Sequence, residues 1–395
     1  MDDKISFDNC LKCNYCTTVC PVMRVYPSYP GPKRLGPEIE RFRVTGMDCN
    51  NKWLDYCLGC EQCNTICPNG VKIANMIAQA KTRIKKHGQR KLRDYFLARP
   101  ALAGKVAGTT APLANEILKL RVVARAMGLT PQRPFPHYIR KPLTVRPNRS
   151  LQRVVFFPGC FINYNEPGIG KAVVNVLEHN GFGVEIAGCG CCGLPALANG
   201  DNRELLASAR NNLNILKDAV EANYKIITAC SSCGSILKSH YAELFSDHQP
   251  YRELAEKVAA HTFDLGEFLQ ELADNGQLNC EFGESPVKLA HHSPCHLKSQ
   301  GIGKPWVDIL SLIPGVKIAE IDRGCCGMAG TYGFKQEKYE ISMLIGQDLF
   351  TALKGNNPDA VITECGTCQM QIQHGTHIKT MHPVEIMSRA YASKS

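Results

Sequence analysis

The chain has 395 residues, 44% of them hydrophobic and 21% charged, with 21 cysteines and a formal net charge of +10. That is a globular composition, and the length predicts two to three domains with more than one hydrophobic core. The longest stretch without a charged residue, Ile186 to Gly200, is broken by four glycines and a proline, which excludes a transmembrane helix, since a span needs about 20 mainly apolar residues.

The opening segment, MDDKISFDNC, has neither an apolar core region nor a small-residue cleavage site, so no export signal is expected. Residues 1–80 form the first predicted unit. Cys10, Cys13, Cys16 and Cys20 run C-x-x-C-x-x-C-x-x-x-C-P, and Cys57, Cys60, Cys63 and Cys67 repeat the run 47 residues later. Short spacings let successive thiolates face one centre from a tight loop, and a duplicated run of this form is the pattern of a bacterial two-cluster ferredoxin. In that pattern the fourth cysteine of each run serves the other cluster. The expected [4Fe-4S] ligands are therefore Cys10, Cys13, Cys16 and Cys67 for cluster 1, and Cys57, Cys60, Cys63 and Cys20 for cluster 2. Pro21 and Pro68 turn the chain away after each run. Three cysteines within seven residues plus a fourth suit a cluster better than a single zinc ion. Ile73 to Lys86 has helical periodicity through Ile73, Ile77, Ala80 and Ile84, so the unit is expected to be mostly helical.

Residues 81–150 read as a basic, partly helical and Pro-rich bridge. From Lys81 to Arg149 there are seventeen Lys or Arg residues against only Asp94 and Glu116. Such a segment suits anionic lipid headgroups, an acidic partner or nucleic acid, or else it is a solvated linker. Leu113 to Met127 predicts one amphipathic helix, with Leu113, Ile117, Leu120 and Met127 on one side and Lys119, Arg121 and Arg125 among them. It either lies on a membrane surface or packs on its own protein.

From residue 151 strands and helices alternate. Strand-like Arg153–Phe157 leads to Cys160, a helix runs from Pro167 to Asn180, FGVEI leads to Cys191/Cys192, a helix covers Asp201 to Ala222, and YKIIT leads to Cys230/Cys233. A second copy follows: VKLAH before Cys295, VKIAEI before Cys325/Cys326, DAVIT before Cys365/Cys368, each cysteine offset by 134 or 135 residues. This order predicts parallel sheets with right-handed crossovers, with the cysteines on loops at the carboxyl ends of strands, where binding crevices form. The lobes are expected at 151–250 and 285–395, with 251–284 as linker. The fold class is therefore multidomain α+β: an N-terminal helical two-cluster ferredoxin unit followed by two repeated α/β lobes facing each other across a crevice.

Each lobe offers five thiolates, which exceeds the need of a cubane or a structural zinc. An unusual cluster is the sharper reading, and a zinc site or a disulfide the plainer one. The motifs Gly159-Cys160, Cys191-Cys192-Gly193 and Cys230-Ser-Ser-Cys233, with Pro294-Cys295, Cys325-Cys326-Gly327 and Cys365-Gly-Thr-Cys368, resemble the paired CCG motifs of the heterodisulfide reductase and glycolate oxidase iron-sulfur subunit superfamily. Within it the chain most resembles the C-subunit family of anaerobic glycerol-3-phosphate dehydrogenases. The stretches that carry this are CPVMRVYPSYPGPKRLGPEIERFR after Cys20, GCFINYNEPGIGK around Cys160 and CCGMAGTYGFKQEKY around Cys325.

The resemblance implies non-cubane [4Fe-4S] clusters on Cys160, Cys191, Cys192, Cys230 and Cys233 (site 1) and on Cys295, Cys325, Cys326, Cys365 and Cys368 (site 2). The gaps from the first cysteine to the pair are slightly short of the heterodisulfide reductase spacing, which leaves the type of these clusters open. It also implies an electron-transfer subunit without a catalytic residue of its own, docked to a flavin-bearing dehydrogenase, passing electrons toward membrane quinone and tethered peripherally to the cytoplasmic face of the inner membrane. Two other readings share the motifs: the iron-sulfur subunit of a glycolate or lactate oxidase, and a catalytic thiol-disulfide reductase.

Gly188 to Gly193 formally matches G-x-G-x-x-G, but the intervening residues are thiols and no helix pattern opens directly after it, so no nucleotide site is expected. His291, His292 and His296 flank Cys295 and are candidates for tuning a cluster or moving a proton. Cys49, Cys189 and Cys280 fall outside the repeats and are expected as buried small side chains. The aromatic residues do not interleave with Lys and Arg, so nucleic-acid binding is not expected.

Overall fold

Runs of β-branched and aromatic residues build two sheets of the same design in the computed structural model, which describes residues 7–47, 49, 52–85, 91–145, 148 and 151–393. Strands β1 (Gln152–Phe157), β2 (Phe182–Ile186), β3 (Ile226–Thr228) and β4 (Thr262–Asp264) lie in the order β2-β1-β3-β4. Strands β5 (Val287–His291), β6 (Val316–Glu320), β7 (Ala360–Ile362) and β8 (Thr380–Met381) repeat it as β6-β5-β7-β8. All pairs are parallel, with Val154 opposite Val184 and Leu289 opposite Ile318. The chain runs outward from β1 to β2 and then crosses back to β3, so each sheet reverses direction between its two central strands. Ligand crevices open at that switch point.

The helix Pro167–His179 begins with proline at its first turn and Asn202–Glu221 is capped by Asp201, which accepts from the Glu204 amide at 3.2 Å. Asp264, the last residue of β4, and His382, directly after β8, each form a capping box, with Glu267 and Glu385 respectively. Val154, Phe156 and Phe268 of the first lobe and Leu289, Trp306 and Met387 of the second belong to one continuous apolar core. The lobes are therefore packed on each other and not strung on a tether.

Residues 251–284, expected as linker, instead carry most of the helix Gln249–His261, then β4 and the helix Leu265–Asp274. The fourth strands are three and two residues long, too short to display an alternation.

The single helix expected over Leu113–Met127 is two, Ala111–Lys119 and Arg121–Ala126, broken where Leu120 is extended at φ −72°, ψ 114°. The reason lies in what each half buries. Asn115 is held by Tyr138, accepting from its amide at 2.9 Å and donating to its carbonyl at 2.9 Å, while Ala124 packs with Leu349 and Leu353 of the second lobe. Nine residues on a straight helix turn by about 180°, so one rod would leave one of these contacts facing away.

The bridge straps both lobes. Arg93 forms a two-pronged pair with Glu337 (2.7 and 2.8 Å), and Arg99 pairs with Asp201 at 2.8 Å and Glu204 at 2.9 Å. Part of the positive charge counted in the sequence is thus consumed internally.

Candidate metal centres

The two N-terminal runs fold alike. Lys12 and Asn14 in the first and Gly59 and Glu61 in the second, offset by the same 47 residues, take left-handed φ of 57°, 70°, 64° and 59°. These turns between successive cysteines curl each loop so that three thiols face inward. A short helix follows each, Tyr15–Thr18 and Gln62–Thr65. Cys10, Cys13, Cys16 and Cys67 line one small cavity, and Cys20, Cys57, Cys60 and Cys63 line another, each about 20 Å³. The fourth cysteine of each run thus stands with the other run. Burial pushes the Cys16 and Cys20 thiols up to about 11 and raises Cys60 and Cys63 as well.

In the lobes, Cys160 and Cys295 follow β1 and β5, and Cys230/Cys233 and Cys365/Cys368 follow β3 and β7, on either side of each switch point. The pairs Cys191/Cys192 and Cys325/Cys326 come in from the loops after β2 and β6. Each CCG glycine is left-handed, Gly193 at φ +93° and Gly327 at +87°. At Gly327 a Cβ would collide with the Ser342 carbonyl. At Gly159 a Cβ would lie 2.8 Å from Cys233 Sγ, so that glycine keeps open the cradle beside the thiols.

The thiols of each set form a connected string. Cys191 interacts with Cys160 and Cys192, and Cys192 with Cys233, which interacts with Cys230. In the second lobe Cys295, Cys325, Cys326, Cys368 and Cys365 follow one another, with Cys326 Sγ 3.3 Å from Cys368 Sγ. The Cys368 and Thr367 hydrogen bonds pull Cys365 down to about 5, while the Cys326 thiol raises Cys368. Five adjacent thiols, three of them buried in each set, cannot all ionise without a cation among them, and a bound metal centre reverses that repulsion. The donor sets fit iron with sulfide.

A cavity of about 160 Å³ joins these parts. Its walls include Cys160, Cys192, Cys230 and Cys233 of site 1, all five cysteines of site 2, and Cys57 of the second run. Another cavity, about 140 Å³, is lined by Cys20, Gln62, Cys295 and Cys325.

His296 stands where the three units meet. Its Nε2 is 3.0 Å from the Gly59 carbonyl and its Nδ1 is 2.9 Å from Ser232 Oγ, which lies 3.9 Å from Cys365 Sγ. His291 is paired at 2.8 Å with Glu364, fully buried. A ring nitrogen of His292 lies within 4.8 Å of the Cys326 and Cys368 sulfurs, and burial pulls this histidine down to about 4. Of the three cysteines outside the repeats, Cys189 is buried, Cys49 is half-buried, and Cys280 is exposed, against the expectation for it.

Sequence reasoning missed the residues that hold the CCG loops. Asn212 donates to the Cys191 carbonyl at 2.9 Å and Tyr241 to the Cys192 carbonyl at 2.8 Å, and the two side chains bond each other at 3.0 Å. Asn212 interrupts the apolar stripe of its helix between Ala209, Leu213 and Leu216, the one signal that could have marked it.

Paired switch-point thiol sets, joined to a helical unit with twin cysteine runs, define an iron-sulfur electron-transfer protein. Residues 154–238 and 289–373 each match the family model of the cysteine-rich domain, and residues 6–71 match the 4Fe-4S dicluster domain. The anaerobic glycerol-3-phosphate dehydrogenase C-subunit of Escherichia coli K12 is 35% identical over 98% of this chain and 99% of its own length. The glycolate oxidase iron-sulfur subunit of the same organism is 25% identical over 96% and 93%. The fumarate reductase (CoM/CoB) B-subunit of Methanothermobacter marburgensis is 31% identical over 61% of this chain and 47% of its own length. The chain belongs to the family of the anaerobic glycerol-3-phosphate dehydrogenase C-subunit.

Proposed function

We propose that this chain carries electrons from a flavin-bearing glycerol-3-phosphate dehydrogenase partner toward membrane quinone, through two [4Fe-4S] cubanes and two further clusters in the CCG lobes. The observation that carries the reading is the shared cavity, in which Cys57 of the second run faces thiols of both five-cysteine sets. Bound clusters would supply one-electron acceptors spanning a wide range of potentials. The eight N-terminal cysteines would hold the cubanes as grouped above, and the ten CCG cysteines the other two centres. Backbone amides aimed at sulfur, from Gly59 to Cys57 (3.5 Å), Val71 to Cys67 (3.4 Å) and Gly327 to Cys325 (3.3 Å), stabilise thiolate charge and so set potentials.

The bridge supports attachment to an anionic membrane surface. No helix among the described residues is long and apolar enough to cross a bilayer. Yet Leu102, Val106, Leu113, Ile117, Leu120 and Val122 are all exposed, Val122 at 75%. The helix Pro100–Thr109 turns its small side inward, with Gly104 against Tyr164 and Gly108 against the Ile139 carbonyl. Large apolar side chains facing outward beside Lys119, Arg121 and Arg125 suit the headgroup boundary.

The test is metal and sulfide analysis of anaerobically purified chain, followed by its reduction by the flavoprotein that co-purifies with it. Zinc without iron and acid-labile sulfide would sink the relay. Reduction by a glycolate or lactate flavoprotein in place of a glycerol-3-phosphate one would keep the relay and change the partner.

A further inference from the structure

The two CCG sites are repeats, but one position beside the thiols differs in kind. Three residues before the leading cysteine of each lobe stands Phe157 in the first and His292 in the second. Both are buried, at 0% and 1% exposure. His292 is fixed at the end of β5, where its amide donates to the Ile362 carbonyl at 3.0 Å. One of its ring nitrogens, Cys326 Sγ and Cys368 Sγ all lie within 4.8 Å of one another. Donors on one tetrahedral ion, with bonds of about 2.0–2.3 Å, stand roughly 3.5–4 Å apart, so this triangle closes onto a single ion with little movement. The Nδ1 atom is buried and has no hydrogen-bond partner. An orphaned polar atom of that kind is costly unless something satisfies it.

We infer that His292 is an iron ligand of the second CCG site, through one imidazole nitrogen, so that site 2 is a mixed thiolate and imidazole centre whereas site 1 is held by thiolates alone. This rests on the iron-sulfur reading of the lobes. Imidazole is a good ligand for iron. It is neutral where thiolate is anionic, so it adds no negative charge to the site, whereas a cysteine at the same position would add one and lower the potential. Two sites with the same fold and the same five cysteines thereby become unequal.

The experiment uses the full chain, anaerobically reconstituted and labelled with ¹⁵N-histidine. Iron and sulfide are counted, and the paramagnetic signals assigned to each site are examined by electron-nuclear double resonance and redox titration. A strongly coupled histidine nitrogen is expected on the site 2 signal and not on the site 1 signal. In His292→Cys, which keeps a donor in place, the cluster count is expected to hold while the nitrogen coupling is lost and the site 2 midpoint falls. His292→Phe, which copies the first lobe, is expected to lose the same coupling. A fully loaded protein without strong nitrogen coupling at site 2, or with coupling that survives in His292→Cys, overturns the inference and leaves the relay standing. A protein without iron overturns the relay itself.

Discussion

Glu61 Oε1 and His240 Nε2 meet at 2.5 Å, joining the second cysteine run to the first lobe. Burial raises the Glu61 carboxyl, but the His240 hydrogen bond and charge overcome it and hold the group at about 2. Burial lowers His240, and the same bond and charge raise it above its ordinary value. The Glu61 contribution is therefore present above the ordinary carboxylate range near 4.5 and lost as pH falls toward 2. The His240 contribution is full below about 6.5 and lost as pH rises through its elevated value. Replacing His240 by Gln is expected to cost about 1.5–3 kcal/mol near pH 5.5 and progressively less at alkaline pH. Denaturant unfolding across pH 5 to 9 checks this, and a cost independent of pH would refute the pairing.

Gly327→Ala places a side chain at φ +87° and drives it into the Ser342 carbonyl. Backbone strain alone costs on the order of 1–3 kcal/mol, and relief requires the Cys325/Cys326 loop to shift. The expected result is a less stable protein short of the iron of one site, with the N-terminal cubane signals retained. Iron counts paired with electron paramagnetic resonance read both effects.

Cys13→Ser and Cys326→Ser separate the cluster classes. The first is expected to abolish one ferredoxin-type resonance, since Cys13 lines the same cavity as Cys10, Cys16 and Cys67. The second is expected to disturb a different signal. Retention of every cluster in both variants would show the ligand grouping to be wrong.

Binding to anionic vesicles is expected to weaken with salt as the Debye length shrinks below about 10 Å. Neutralising Lys119, Arg121 and Arg125 together is expected to weaken it by about 2–3 kcal/mol. Lys119 counts for less than the others because it is paired with Glu116 at 2.5 Å. Val122→Asp should weaken binding even at low salt, because it removes an apolar contact. Sedimentation with vesicles of defined anionic content measures both, and unchanged partitioning of both variants would remove the bridge from the membrane.

The repeats at 47 and 134–135 residues made the twin runs and the duplicated lobes legible, because metal ligands and strand ends recur at fixed offsets whatever surrounds them. Features that depend on contacts between distant segments left no such mark. The break at Leu120 follows from what Asn115 and Ala124 each touch, and β4 and β8 exist because β3 and β7 offer them an open edge. The bonds of His296 to Gly59 and Ser232 join residues 237 and 64 positions away. The pair Arg93 and Glu337 spans 244 residues, and each partner taken alone reads as a surface charge.

The cavity between the lobes has walls from all three units, with Cys57, Gly59 and Glu61 supplied by the N-terminal one. The thiols of both five-cysteine sets are thus screened partly by residues of the cysteine-run unit, so that a change at Gly59 or Glu61 alters the surroundings of the lobes' sulfurs as well as those of its own run.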